Sequence, residues 1–236
     1  MAADLKTGIR KFLKDENSVH RFIIRFLLII MVIEWVLLLI DQRWLSLFLV
    51  TLIIAVLFAP IIFRKKMDLE LPAEFHLMAV LFTFASLYLG EVQQFYHRIW
   101  WWDIALHATA GLMMGIFGFL LVYILNESKR VNLHMNAGFV AFFAFLFAVT
   151  IGTLWEIFEF GMDQLFGLNM QKEMLGDPSG LTDTMWDMIV NAIGALVISL
   201  TGWWYLKRRS HFFIKAMIQK FIKKNPKLFS RNEVNE

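Results

Sequence analysis

The chain has 236 residues, 58% of them hydrophobic and only 18% charged, with 24 Phe and 9 Trp, a balance that excludes a water-soluble domain and places it in the membrane class. It contains no cysteine, which excludes disulfides, thiol catalysis and Cys-ligated zinc. The net charge of +3 conceals an asymmetry: nine of the 23 basic residues follow Tyr205, a distribution suited to an anionic lipid surface and not to a nucleic-acid site.

In chain order, residues 1–20 read as a cytoplasmic N-terminal segment. No small-residue cleavage site follows the first apolar stretch, so that stretch reads as a retained span and not as a removed signal peptide. Apolar windows of about 20 residues, the length needed to cross ~30 Å of hydrocarbon, predict spans at 21–40, 44–63, 73–90, 99–125, 137–161 and 184–206. Polar breaks separate them at Asp41-Gln42-Arg43, from Arg64-Lys65-Lys66 to Pro72, and from Asn126 to Asn136. If the N-terminus is cytoplasmic, nineteen basic residues fall on that side, and only Arg43, Arg98 and Lys172 on the other. The positive-inside rule then predicts that both termini are cytoplasmic. Beyond the last span, in 207–236, Phe213, Ile214, Met217, Ile218, Phe221 and Ile222 recur at helical spacing opposite Lys215, Lys220, Lys223 and Lys224. That pattern predicts a basic amphipathic helix lying against anionic lipid. The expected fold class is thus all-α: a polytopic membrane protein with one six-helix transmembrane domain over 21–206 and a basic amphipathic C-terminal helix.

Three of the expected spans carry polar stripes. Asp103-x-x-x-His107 lies in the fourth, Glu156-x-x-Glu159-x-x-x-Asp163 in the fifth, and Asp183-x-x-x-Asp187-x-x-x-Asn191 in the sixth. Residues three, four and seven apart share one helix face, so each set forms a single stripe. The topology puts all three in the outer half of the bilayer. At ~1.5 Å per residue, His107, Glu156 and Asn191 sit roughly 10 Å below the outer helix ends. Asp103, Glu159 and Asp187 form a shallower layer, with Asp163 and Asp183 at the rim, where Glu91 and His97 could join them. Gly111, Gly115, Gly118, Gly152 and Gly194 continue the stripes inward and mark a seam where helix backbones approach closely.

The six acids of these stripes have no Lys or Arg partner within the three spans. Inserting a central Asp costs about 2.5–3.5 kcal/mol, so shared protons or bound cations must neutralise the cluster. Oxygen-rich ligands favour Mg²⁺, Ca²⁺ or Mn²⁺, and His107 admits Zn²⁺ or Fe²⁺. In the metal reading His107, Glu156, Glu159, Asp183 and Asp187 are the candidate ligands. Glu159 and Asp103 are the candidate catalytic carboxylates, and Asn191, Asp163 and Glu91 line the substrate or support the ligands.

At Trp102-Asp103-Ile104-Ala105-Leu106-His107, Trp155-Glu156-Ile157-Phe158-Glu159-Phe160 and Asp183-Thr184-Met185-Trp186-Asp187 the chain resembles the YjdF-type family of polytopic bacterial membrane proteins, over about residues 73–206. A fainter similarity to VanZ-like proteins lies in the Asp-x-x-x-Asn-x-x-Gly ending at Gly194, although the basic residue ahead of that ending is missing. The resemblance implies a multi-pass protein of the bacterial plasma (inner) membrane and a link to the cell envelope, but no reaction.

Several membrane chemistries lack their residues here. The Pro178-Ser179-Gly180 turn is followed by Leu181 where a lipid phosphatase would have its His, and a basic phosphate clamp is missing. No Ser lies at the depth of His107 for serine proteolysis, and the six His are too dispersed for an iron desaturase. Three uses of the cluster stay open at this stage. It could serve a metal-dependent hydrolase or transferase acting on a lipid or lipid-linked envelope substrate, a cation- or proton-coupled transporter, or a structural or regulatory inter-helix site. The loop from Gln164 to Thr182 joins two stripe-bearing helices and is either a cover for the site or a plain connection.

Overall fold

The computed structural model describes residues 18–60, 70, 72–127, 135–208 and 213–226. The described chain is helical, with α1 Ser18–Ile40, α2 Trp44–Leu57, α3 Ala73–Thr83 continuing as a π-helix over Phe84–Val92, α4 Phe95–Arg98, α5 Trp102–Glu127, α6 Ala137–Phe166, α7 Leu181–Arg208 and α8 Phe213–Lys224. One isolated antiparallel bridge joins Met174 and Asp177. Among the described residues five helices are long and apolar enough to cross a bilayer: Phe22–Ile40, Ala73–Val92, Trp102–Val122, Ala137–Phe166 and Leu181–Lys207. Within the expected span at 44–63 an apolar helix of 14 residues, about 21 Å at 1.5 Å per residue, runs to Leu57. A turn at Phe58 follows, helix resumes at Ala59 and Pro60, and residues 61–63 of that expectation lie outside the described residues.

The helices group into two compact units. In the first, α1 and α2 meet along apolar ridges at heptad-like spacing. Ile24, Leu27, Met31 and Leu38 come from α1 and Val50, Ile53 and Leu57 from α2, with Val80 and Val92 packed among them. The connection is short because Gln42 adopts a left-handed conformation (φ 55°), which stops α1 and returns the Asp41 and Arg43 amides to the carbonyls of Leu37 and Leu38. A polar contact crosses the pair, Trp35 Nε1 donating to Thr51 Oγ1 at 3.0 Å.

The end of α8, from Gln219, belongs to this first unit. Phe221 and Asn225 are buried there. The Asn225 side chain accepts the Glu70 amide at 2.7 Å and donates to the Glu70 carbonyl at 2.9 Å, while Lys220 pairs with Glu74. A side-chain amide is suited to such a two-point bridge, since it offers a donor and an acceptor side by side.

The second unit is built on α5, α6 and α7. Asn136 caps α6 by accepting the Phe139 amide at 2.8 Å, and Gly167, left-handed at φ 64°, ends it. Two glycines set the spacing of α5 and α7 reciprocally. A Cβ on Gly111 would fall on the backbone carbonyl of Asn191, and one on Gly194 would fall on that of Ala108. Lipid offers no hydrophobic drive for helices to associate, so close backbone approach of this kind supplies the packing that holds them.

Candidate metal centre

The close approach of α5 and α7, with α6 alongside, brings the three polar stripes into one buried cluster. His107 is its centre. Its Nε2 lies 3.5 Å from Asp103 Oδ1 on its own helix and 3.8 Å from Asp187 Oδ2 on α7. Its Nδ1, on the other side of the ring, lies 3.4 Å from Glu156 Oε1 on α6. One atom each from Asp103, His107 and Asp187 can be chosen so that all three lie within 4.8 Å of one another.

These separations have a chemical meaning. Contacts of 3.5 and 3.8 Å are long for hydrogen bonds, whose heavy-atom distances run to ~3.2 Å. Tetrahedral bonds of ~2.0–2.2 Å set ligand atoms roughly 3.3–3.6 Å apart, a spacing that the 3.5 Å contact meets and the 3.8 Å contact slightly exceeds. A carboxylate facing the opposite ring nitrogen is the usual partner of a metal-ligating histidine, where it fixes tautomer and ring orientation. The donor set of two carboxylates and one imidazole fits a divalent cation.

Charge at the cluster is largely unanswered by the protein. Asp187 is 1% and Glu156 4% exposed, and neither carboxylate has a hydrogen bond of regular geometry among the described residues. Thr184, whose hydroxyl oxygen accepts from Gln171 Nε2 at 2.7 Å, stands near Glu156. No lysine or arginine comes from α5 or α6, nor from α7 before Lys207. Burying an ionised carboxylate without a partner costs several kcal/mol, so the arrangement calls for positive charge from a ligand or a proton.

The remaining expected site residues have other partners. Glu159 is buried beside this group and accepts a hydrogen bond from Trp155 Nε1 at 2.8 Å. Asn191 donates from Nδ2 to the Ala148 carbonyl at 3.3 Å, in a space kept open by Gly152, where a Cβ would collide with the same amide. Asp183 accepts the Lys172 amide at 2.7 Å. Asp163 accepts the amides of Met170 and Gln171 at 2.7 and 2.9 Å. Both rim acids are thus turned to the α6–α7 loop, and Asp183 is not in the three-residue ligand group. Glu91 belongs to the first unit, on an exposed position of the π-helix.

Two contributors escaped the sequence reading. Trp155 is one, and its i, i+4 spacing to Glu159 is a hydrogen-bond signal that the sequence carries. Asp177 organises the loop end by accepting the Ser179 amide at 2.9 Å and the Thr182 amide and hydroxyl at 3.0 and 2.8 Å. The hydrogen bonds from Ser179, then those from Thr182, hold its carboxyl well below the usual carboxylate range.

A family model described as "Predicted membrane protein (DUF2238)" matches residues 23–208. The chain belongs to this family. A relative from Thermotoga maritima, titled "Uncharacterized protein", is 29% identical over 157 residues, covering 66% of this chain and 74% of the relative. No solved structure matches. The match encloses all three polar stripes, in keeping with the multi-pass membrane architecture that the YjdF-type resemblance implies.

Proposed function

We propose that this member of the DUF2238 family holds a divalent cation between Asp103, His107 and Asp187, with Glu156 orienting the His107 ring, and uses it on a lipid or lipid-linked envelope substrate. The observation that carries the reading is the placing of carboxylates on both sides of His107: Nε2 stands 3.5 and 3.8 Å from Asp103 and Asp187, which with it form one compact donor group, while Nδ1 faces Glu156 at 3.4 Å. The mixed donor set suits Zn²⁺ or Mn²⁺ better than the all-oxygen preference of Ca²⁺ and Mg²⁺. Such an ion would polarise a phosphoryl or carbonyl oxygen, or activate a water, and would answer substrate negative charge that no basic side chain of these helices meets. With Asp103 among the ligands, Glu159 takes the role of base.

The basic-residue asymmetry supports cytoplasmic termini and a site in the outer half of a plasma membrane. It also supports anionic lipid as the neighbour of the C-terminal tail. A second reading is favoured by Asp187, buried among carboxylates with no hydrogen bond of regular geometry among the described residues: a transported proton or cation would supply the same charge.

Metal analysis of purified protein separates them. Stoichiometric metal is expected in the wild type and is expected to vanish in Asp187→Asn and in His107→Ala. Glu156→Gln is expected to keep the site with about 10–100-fold weaker affinity, the usual cost of losing an orienting partner. Metal-free wild type, with proton-coupled uptake lost in Asp187→Asn, would replace the enzyme reading by the carrier.

A further inference from the structure

The segment joining α6 to α7 is fixed along its length. Asp163 holds the amides of Met170 and Gln171, Asp183 holds that of Lys172, and Asp177 holds those of Ser179 and Thr182. Within this frame Met174 and Asp177 pair through both backbone amides, at 3.4 and 3.0 Å, closing a two-residue hairpin. Its central residues, Leu175 and Gly176, have φ of 53° and 81°. Positive φ at both positions is the mark of a type I′ turn, which selects Asn, Asp or Gly at the first. A leucine there carries a backbone cost that its own side chain does not recover from the protein, being 82% exposed. Backbone strain at an exposed apolar tip calls for something outside the chain to cover it.

We propose that Leu175 and its hairpin form a membrane-dipping lip, seated in the apolar side of the headgroup layer of the bilayer that α6 and α7 cross. Lipid is the occupant that the surroundings favour. The carboxylate staples tie the hairpin to the ends of two helices long enough to span, so its tip stays near the plane where those helices leave the hydrocarbon. Leu165, Phe166 and Leu181 at those same ends are exposed and continue the apolar surface from the spans to the loop. Apolar tips of this kind bury themselves a few ångströms into the headgroup and acyl boundary. The inference stands whether or not the buried cluster holds a cation.

The chain lacks cysteine, so single labels are unambiguous. Leu175→Cys and Glu173→Cys, each carrying an environment-sensitive fluorophore, are placed in phosphatidylethanolamine–phosphatidylglycerol nanodiscs with and without nitroxide-labelled lipid. The label at 175 is expected to be quenched by lipid nitroxide at least about twofold more than the label at 173, and to be shielded from aqueous iodide. Quenching at 175 by iodide alone would overturn the proposal in favour of a water-facing tip. Quenching by neither would overturn it in favour of a protein partner or a second copy. Leu175→Asn, which suits the positive φ, is expected to leave the unfolding temperature in detergent unchanged or raised. A lowered temperature would mean that Leu175 is held by the protein itself, and would also overturn the proposal.

Discussion

The two units of this chain solve helix packing in opposite ways. The first uses interlocking apolar side chains, Met31 and Leu38 against Val50 and Ile53, with Trp35–Thr51 as a polar link. The second uses glycines and then places His107, Glu156 and Asp187 in the space beside the seam. Apolar ridges are enough to build a helix pair in this chain, so buried acids are not a general requirement of its fold. Their presence in one unit is a cost that a proton or a bound cation would offset.

The largest effect is expected at the glycines. Gly111→Leu drives a side chain into the α7 backbone and is expected to cost more than about 4 kcal/mol, read as loss of the folded state in detergent unfolding. The matching test in the first unit, Met31→Ala, is expected to cost about 2–4 kcal/mol through the cavity it leaves. Asp187→Asn has the opposite sign. Removing an uncompensated buried charge is expected to stabilise the metal-free protein by about 1–3 kcal/mol while abolishing stabilisation by added metal. Equal destabilisation with and without metal would show Asp187 to be a packing group. Trp35→Phe is expected to cost only about 1 kcal/mol, the net value of one hydrogen bond.

The smallest effect concerns the loop. Because hydrogen bonds depress the Asp177 carboxyl, its contribution is fully present above the ordinary aspartate value near ~3.9 and is lost as pH falls below it toward the folded-state value. Protection of the Ser179 and Thr182 amides, taken as exchange relative to the free-peptide rate at each pH, is therefore expected to be constant from neutral pH down to about pH 4 and to fall below it. In Asp177→Ala both amides are expected to exchange fast throughout.

Much of this architecture is legible in the sequence, for reasons that also explain what is not. Hydropathy reports composition over a window, so spans expected at 99–125, 137–161 and 184–206 reappear as helices Trp102–Glu127, Ala137–Phe166 and Leu181–Arg208. It does not report a local break, and the turn at Phe58 that interrupts the apolar stretch 44–63 after the helix Trp44–Leu57 leaves no mark in such a window. Helical spacing likewise placed His107, Glu156 and Asp187 on stripes, and the structure brings those stripes together. Spacing is silent on what a terminal carboxylate faces. Asp163 and Asp183 sit where a helix meets a loop, and the nearest unsatisfied donors there are the loop amides. Nor does a reading by depth anticipate that one imidazole, with a nitrogen on each side, bridges the deeper Glu156 and the shallower Asp103 and Asp187.

The central claim is that one imidazole nitrogen and two carboxylates share a cation, and Mn²⁺ paramagnetic resonance tests it directly. Detergent-purified protein is stripped with chelator, reloaded with Mn²⁺, and examined for nitrogen hyperfine coupling. A single bound ion coupled to a histidine nitrogen is expected, with coupling lost in His107→Gln and ion lost in Asp187→Asn. Mn²⁺ that does not bind, or that binds without nitrogen coupling and equally well in Asp187→Asn, would contradict it.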